Sequence, residues 1–570
     1  MTQLEHACQP ELGFALRDSQ RRAGRLLLDR CIAEMPTGEG KTVTTALPSA
    51  ILAGVGRRVL VATANDYLAA RDAEWMRPLY EALGLRAACV TSNTDDQARH
   101  SAYESNVIYG TLREFAFDYL RLSLAARSEA NSGQVSKPVS VATETFPFDA
   151  LILDEADSIL IDEARTPMII TAPTGEIDQT REACYRWAAQ HACEFIQGHH
   201  YVRLPDSGLV ALTEAGRHQA IRLPLPDEMY RLTSTDIVHA LERAILVNDT
   251  IQRDAHYVVQ DGVIHIVDEY TGRKASERNF GGGIQQAIEA REKLALTRES
   301  EPVARISVQD FVMKFDHLCG MTATGWEDRH EFQRVYGLAI RRLPPHQPSQ
   351  RQLLPPVVSL TQTDKWDRIA DETEQMVGGG RAVLIGTRTI EQSEQLSDRL
   401  RQRQIDHVVL NARNTAKEAD IVSQAGQPGR VTVATNMAGR GTDIRLADSV
   451  REAGGLHVIV SEPHAARRID RQLVGRAARQ GDPGSARLFA SADDEILSQA
   501  FGEQEANRVR NSAKTASDRW LLARIRRAQR LVAQRHRAER AQLTARDSQL
   551  SDAMLQLGLD PHLDPLPETR

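Results

Sequence analysis

The chain has 570 residues, 41% hydrophobic and 26% charged, with a formal net charge of −7 and a pI near 6.2. That length exceeds what one hydrophobic core serves, so roughly two to four domains are expected. The balance is that of an ordinary globular protein, and it excludes a global basic field that would draw the chain onto nucleic acid or lipid.

The six cysteines, Cys8, Cys31, Cys89, Cys184, Cys193 and Cys319, are scattered without C-x-x-C spacing. Neither a zinc site nor a disulfide framework is expected, which fits a reducing cytosol. The first ten residues lack the basic-then-apolar order of a secretion signal. No window approaches about 18 unbroken apolar residues, so no membrane-inserted segment is expected.

Residues 11 to 30 carry apolar positions at helical spacing and contain Gln20. In helicase-like ATPases a glutamine just upstream of the phosphate loop reads the adenine edge; a solvated helix glutamine is the competing reading. The apolar run Arg30-Cys31-Ile32 then enters Ala33-Glu-Met-Pro-Thr-Gly-Glu-Gly-Lys-Thr42, a strand-to-loop-to-helix turn. Gly38 and Gly40 let the backbone curl with its N–H groups inward. Lys41 supplies a point charge for outer phosphates, and Thr42 offers a hydroxyl to magnesium.

Arg58–Thr63, Asn106–Thr111 and Ala150–Leu153 read as buried parallel strands, the last running into Asp154-Glu155-Ala156-Asp157. In a parallel sheet, ligands gather at strand C-termini, so the acidic cluster lies at the ligand edge. There one carboxylate holds magnesium and the next polarises the attacking water, roles that Asp154 and Glu155 fit. The character changes from about 172 to 305, where Tyr257–Val259 and Val263–Val267 form a hairpin around Gln260-Asp261-Gly262. Core-like sequence resumes at Gly320-Met-Thr-Ala-Thr324, so this stretch reads as an insertion in the first ATPase core.

Arg341 to Pro348 is a proline-rich linker, expected to be neither helix nor sheet. A second α/β domain follows, with strands at Ala382–Thr387, His407–Leu410, Val431–Thr435 and Leu456–Val460 and the loop Asn436–Asp443 after the third. On a helix, Gln472, Arg476 and Arg479 would share one face, and two guanidinium groups there suit the charge on a transferring phosphoryl group. From about Ser498 the tail is helical and arginine-rich, with apolar stripes Leu521-Ile525-Ala528-Val532 and Leu543-Leu550-Met554-Leu557. A long helix packed across both ATPase domains, its basic face in water, is the expected arrangement.

The wording goes further than the spacing. Arg30-Cys-Ile-Ala-Glu-Met, Thr37-Gly-Glu-Gly-Lys-Thr, Asn65-Asp-Tyr-Leu-Ala, Asp157-Ser-Ile-Leu-Ile-Asp-Glu-Ala-Arg-Thr-Pro, Val267-Asp-Glu-Tyr-Thr-Gly-Arg, Thr435-Asn-Met-Ala-Gly-Arg-Gly-Thr-Asp-Ile and Arg468-Ile-Asp-Arg-Gln-Leu closely resemble SecA, the bacterial preprotein translocase ATPase family. The match covers roughly residues 12 to 555. It implies two RecA-like ATPase domains of the superfamily 2 helicase type, an inserted α+β preprotein-binding domain, and a long C-terminal helix. The expected division is 1–171 and 306–343 for the first nucleotide-binding domain, 172–305 for the insertion, 344–497 for the second, and 498–570 for a truncated scaffold.

By the same resemblance, Gln20, Gly38, Glu39, Gly40, Lys41, Thr42 and Asp482 bind ATP. Thr42 and Asp154 serve Mg2+, Glu155 the water, and Arg476 and Arg479 act as arginine fingers. The implied partners are preproteins, the SecYEG channel and an anionic membrane surface at the cytoplasmic face, with a homodimer as an option and nucleic acid not expected. The sequence departs from the family at Pro36, Ala477 and Ala478, and by the same resemblance no counterpart of the helical wing, the two-helix finger or the zinc tail is expected within these 570 residues. A nucleic-acid-stimulated helicase and an ATP-gated secretory chaperone remain the alternatives.

Overall fold

Runs rich in Val, Leu, Ala and Thr with no charged residue, such as Val59–Thr63 and Val431–Thr435, can be covered on both faces, and both become inner strands of parallel sheets, buried at every position. The computed structural model describes residues 8–11, 13–131, 146, 148–173, 179–204, 209–267, 274–275, 280–298, 300–410, 421–422, 424–435 and 443–564. The first sheet comprises β1 (Cys31–Glu34), β2 (Val59–Thr63), β3 (Ala87–Cys89), β4 (Val107–Thr111), β5 (Ala150–Asp154), β6 (His317–Thr322) and β7 (Ala339–Arg342). Its spatial order is β7-β1-β6-β5-β2-β4-β3, parallel throughout.

The second sheet is built from β8 (Gln350–Leu353), β9 (Val357–Ser359), β10 (Val383–Thr387), β11 (Val408–Leu410), β12 (Val431–Thr435), β13 (Leu456–Val460) and β14 (Pro483–Ser491). These follow the order β8-β14-β13-β10-β12-β11, with β9 also pairing to β14. Two parallel-sheet domains of α/β type are thus present. One expectation fails at their junction: Arg341 and Arg342 lie in β7, paired with Ala33 and Glu34, instead of in the linker. An edge strand needs hydrogen bonds on one side only, and the prolines that deny pairing begin two residues later.

Between β5 and β6 the chain leaves the sheet through an antiparallel pair, Met168–Pro173 against Ser300–Ile306. Beyond it lies a separate core that includes Trp187, Tyr201, Leu241, Tyr257 and Ile288. The hairpin expected here forms, Tyr257–Gln260 against Val263–Val267, with Asp261 and Gly262 at φ 53° and 76° in its turn. Of the family words quoted above, 268–273 and 436–442 lie outside the described residues.

The tail forms helices Glu495–Phe501, Glu503–Ala513 and Asp518–Gln556. Leu521, Ile525, Ala528 and Val532 of the last are buried against Ile496, Leu497, Ala506 and Val509, each large side chain contributing about 1.5–3 kcal/mol. The second expected stripe holds only in part: Met554 is buried, whereas Leu543 and Leu557 are exposed. This helix also reaches both sheets. Arg540 grips Glu331 with two bonds, at 2.6 and 2.8 Å, on the first-sheet side. Gln529 donates to the His464 carbonyl and to Asp470, both at 2.8 Å, on the second. No described helix is long and apolar enough to cross a membrane.

Candidate active site

The loop 35–40 leaves β1 and turns directly into a helix, Lys41–Gly54. Gly40 stands at φ 82° at the head of that helix, and a Cβ there would lie 2.5 Å from Gln20 Nε2, so both conformation and space demand glycine. Gln20 is on α1 (Asp18–Leu28) and is buried. Its Nε2 donates to the Glu39 carbonyl at 3.1 Å, and its Oε1 accepts from Arg17 N at 2.9 Å. The Glu39 carboxylate accepts from the backbone N–H of His346 in the interdomain linker at 3.1 Å. Leu343 N donates to the Glu34 carbonyl, so the linker is fastened to the first sheet at two points.

With the helix beginning at Lys41, which we label α2, its first residues meet the end of β5. Lys41 Nζ bonds Glu155 Oε1, and both side chains are nearly buried. Glu155 holds φ at 60°, a left-handed conformation that a non-glycine residue adopts only when its surroundings fix it. Thr42 Oγ1 donates to Asp72 Oδ2 at 3.3 Å. Asp72 was not foreseen from the sequence; burial raises its carboxyl, against the lowering charge of Arg71.

Asp154 is the exception in this group. Its Oδ1 is buried and has no hydrogen-bond partner among the described residues. Burial, above all, pushes its carboxyl up to about 7; Lys41 opposes the shift, and Glu155 and Asp72 add to it. A bare buried carboxylate oxygen at the end of β5 and a hydroxyl at the head of the phosphate-loop helix are an oxygen-only donor set of the kind that suits magnesium, so Asp154 and Thr42 are the residues that could hold that ion. No group of three or more His, Cys, Asp or Glu side chains arranged for a metal occurs among the described residues, so water and substrate oxygens would complete the sphere.

The second sheet supplies the facing wall. The helix expected to run through Arg479 stops early: α3 spans Arg467–Val474, Arg476 follows in a turn and Arg479 in irregular backbone. Ala478, Gln480 and Gly481 have φ of 54°, 52° and 87°, which no helix accommodates. The three residues therefore do not share one helical face. Gln472 on α3 donates to Asp157 at 2.7 Å and to Thr324 at 3.0 Å. Thr37 of the phosphate loop donates to the Gly475 carbonyl at 2.5 Å.

Arg479 comes to the loop itself, for a Cβ built on Gly38, at φ 87°, would sit 3.2 Å from Arg479 Cβ. Its guanidinium pairs with Asp443 at 2.8 Å. Asp482 accepts from Arg451 at 3.0 Å, its carboxylate engaged within the second domain. Arg468, quoted above only as part of a longer word, proves to be a buried hub. It pairs with Asp162, with Asp328 at 3.2 Å and with Asp157 at 3.8 Å. The signal available in sequence was a basic residue one turn before Gln472 together with four acids clustered after β5.

Family models place these features among known proteins. Residues 1–333 match the SecA DEAD-like domain, and residues 348–451 and 446–518 the SecA P-loop domain. The chain is 40% identical over 566 residues to protein translocase subunit SecA 2 of Rhodopirellula baltica, across 96% of this chain and 86% of that one. It is 42% identical over 484 residues to protein translocase subunit SecA of Halothermothrix orenii, across 85% of this chain and 55% of that one. With the SecA of Alcanivorax borkumensis the identity is 38% over 583 residues, across 95% and 63%. This chain thus spans between half and two thirds of the length of the two SecA relatives. A phosphate loop facing a strand-end acid pair, together with family matches over most of the sequence, shows that the chain belongs to the SecA family of P-loop translocase ATPases, which use nucleotide and magnesium.

Proposed function

We propose that this chain hydrolyses ATP between its two sheets and uses the turnover to move preproteins through the SecYEG channel, as a peripheral protein at the cytoplasmic face of the membrane. The observation that carries the reading is Asp154, with its bare buried oxygen, next to the Lys41–Glu155 pair, while Arg479 lies against Gly38 of the same phosphate loop. In this reading Gln20 and Glu39 frame the adenine side, and the N–H groups at Gly38–Thr42 receive phosphate oxygens. Lys41 exchanges Glu155 for an outer phosphate oxygen, which frees Glu155 to take a proton from the attacking water. Magnesium, held by Asp154 and Thr42, would neutralise charge on the phosphates. Arg479 would leave Asp443 and join Arg476 against the transferring group, and Asp482 would complete the nucleotide pocket from the second domain.

The separate core beyond the antiparallel stem supports assigning residues 172–305 to preprotein binding. Residues 1–171 and 306–343 would then form one nucleotide-binding domain, 344–497 the other, and 498–570 the start of the scaffold that spans them.

The test is the steady-state ATPase rate, alone and with SecYEG proteoliposomes plus an unfolded preprotein, beside Glu155→Gln. Stimulation by channel and preprotein together, absent in the variant, is expected. Turnover that ignores both would favour an ATP-gated chaperone, and stimulation by RNA alone a helicase; either outcome defeats the proposal.

A further inference from the structure

We propose that the cavity between the long C-terminal helix and the two sheets is a binding site for a small soluble polyanion of the pyrophosphate type. The cavity is partly open and has a volume of about 120 Å³. Three separate bodies wall it: Ile161, Asp162 and Arg165 after β5, residues 465–469 at the start of α3, and positions between Gln529 and Arg540 on the helix Asp518–Gln556, here α4.

Six arginines line the cavity, Arg165, Arg467, Arg468, Arg530, Arg537 and Arg540, against the carboxylates of Asp162, Glu327 and Asp328. Those carboxylates are already engaged. Asp162 is held by Arg468, Asp328 by Arg468 and by Arg537 at 2.9 Å, and Glu327 by Arg471 at 3.4 Å. Arg540 pairs with Glu331, and Arg165 with Glu539 at 3.1 Å. Arg467 and Arg530 are left, both exposed, from two different bodies, and neither has a carboxylate partner among the described residues. Two planar forks supplied by separate walls of one cavity suit an anion with two phosphoryl groups better than a single carboxylate.

The surroundings carry the same sign. Ala466, at the head of α3, provides no side-chain cap, so the first amides of that helix add to the positive potential. His536 also lines the cavity. Burial, followed by the charges of Arg165, Arg540, Arg535 and Arg468, holds its imidazole down at about 4. A bound anion would relieve that field. A cavity walled on three sides admits a free anion in preference to a flat membrane surface. The site is distinct from the phosphate loop and does not depend on the functional proposal above.

The test is titration of inorganic pyrophosphate into the full chain with its phosphate loop saturated by ADP, at fixed ionic strength. One pyrophosphate per chain is expected. Its affinity should fall about tenfold or more in the doubly substituted Arg467→Ser, Arg530→Ser chain, while ADP affinity stays within about twofold. His536, assigned by NMR against His536→Gln, should titrate at higher pH when pyrophosphate is bound. Absence of binding beside ADP, equal affinity in the double variant, or an unmoved His536 titration would each overturn the proposal. So would association with phosphatidylglycerol vesicles in place of free pyrophosphate, provided the double substitution abolished it.

Discussion

At the end of β5, Asp154 keeps a buried oxygen with no hydrogen-bond partner among the described residues, whereas Asp157, three residues on, is surrounded. Thr324 donates to Asp157 at 2.6 Å, Gln472 at 2.7 Å, and Arg468 stands 3.8 Å away. Asp157 is fully buried and Asp154 half-buried with one oxygen out of reach of water; both belong to one acidic word, yet that one oxygen is left unsatisfied while Asp157 is tied into a network that crosses the domain boundary. A satisfied buried charge holds parts together, while an unsatisfied one waits for a ligand. The two groups should therefore respond in opposite senses when broken.

The largest effect is expected at the unsatisfied end. Glu155→Gln keeps the shape of the side chain and should lower ATP turnover by about 10²–10⁴ while the chain melts cooperatively as before. Retention of a tenth of the rate would remove Glu155 from its proposed role. At the satisfied end, Arg468→Met strands Asp162 in the interior and takes from Asp328 one of its two arginines. It should cost about 3–5 kcal/mol in urea denaturation, and a loss under about 1 kcal/mol would show that the hub holds little.

Protonation sharpens the contrast. A carboxyl at about 7 must lose its proton to bind magnesium, so Mg2+ affinity should fall up to about tenfold per pH unit below 7 and flatten above it. For stability the sign is reversed. The folded chain retains Asp154's proton between about 4 and 7 and the unfolded chain does not, so this residue's contribution falls as pH rises through that window. Asp154→Asn should consequently stabilise the metal-free chain at pH 8, by on the order of 1 kcal/mol, while removing the pH dependence of Mg2+ binding. A destabilised variant would contradict the reading of Asp154 as an unsatisfied group. The smallest effect belongs to Gln472→Ala, which removes two bonds to the network and should cost about 1 kcal/mol, measured by the same denaturation.

The two halves of this comparison were not equally legible in the sequence. Lys41, Asp154 and Glu155 stand out because strand, turn and helix write them as local words, and local geometry then carries them toward one another. Arg468 makes its contacts more than 130 residues away, so its role depends on how the sheets meet. Asp72 reads as one more acid on a helix until Thr42 is placed beside it. Helical spacing grouped Gln472, Arg476 and Arg479, but spacing cannot register the left-handed turns at Ala478 and Gln480 that end the regularity. Both parallel sheets were foreseen from their buried strands. The pairing of Arg341 and Arg342 was hidden by nearby prolines, because an edge strand tolerates neighbours that an inner strand does not.

The linker fastened at Leu343 and His346 enters the second sheet at Gln350, whose partner across the strand is Pro483. Only residues 347–349 remain as slack, and such a span reaches at most about 14 Å when fully extended. At that edge the two sheets cannot drift apart; they can only swing, as a lid does on a short strap. Any opening that admits or releases nucleotide must then be largest on the side away from the strap, and Glu39, which holds the strap's midpoint, would register each swing within the phosphate loop itself.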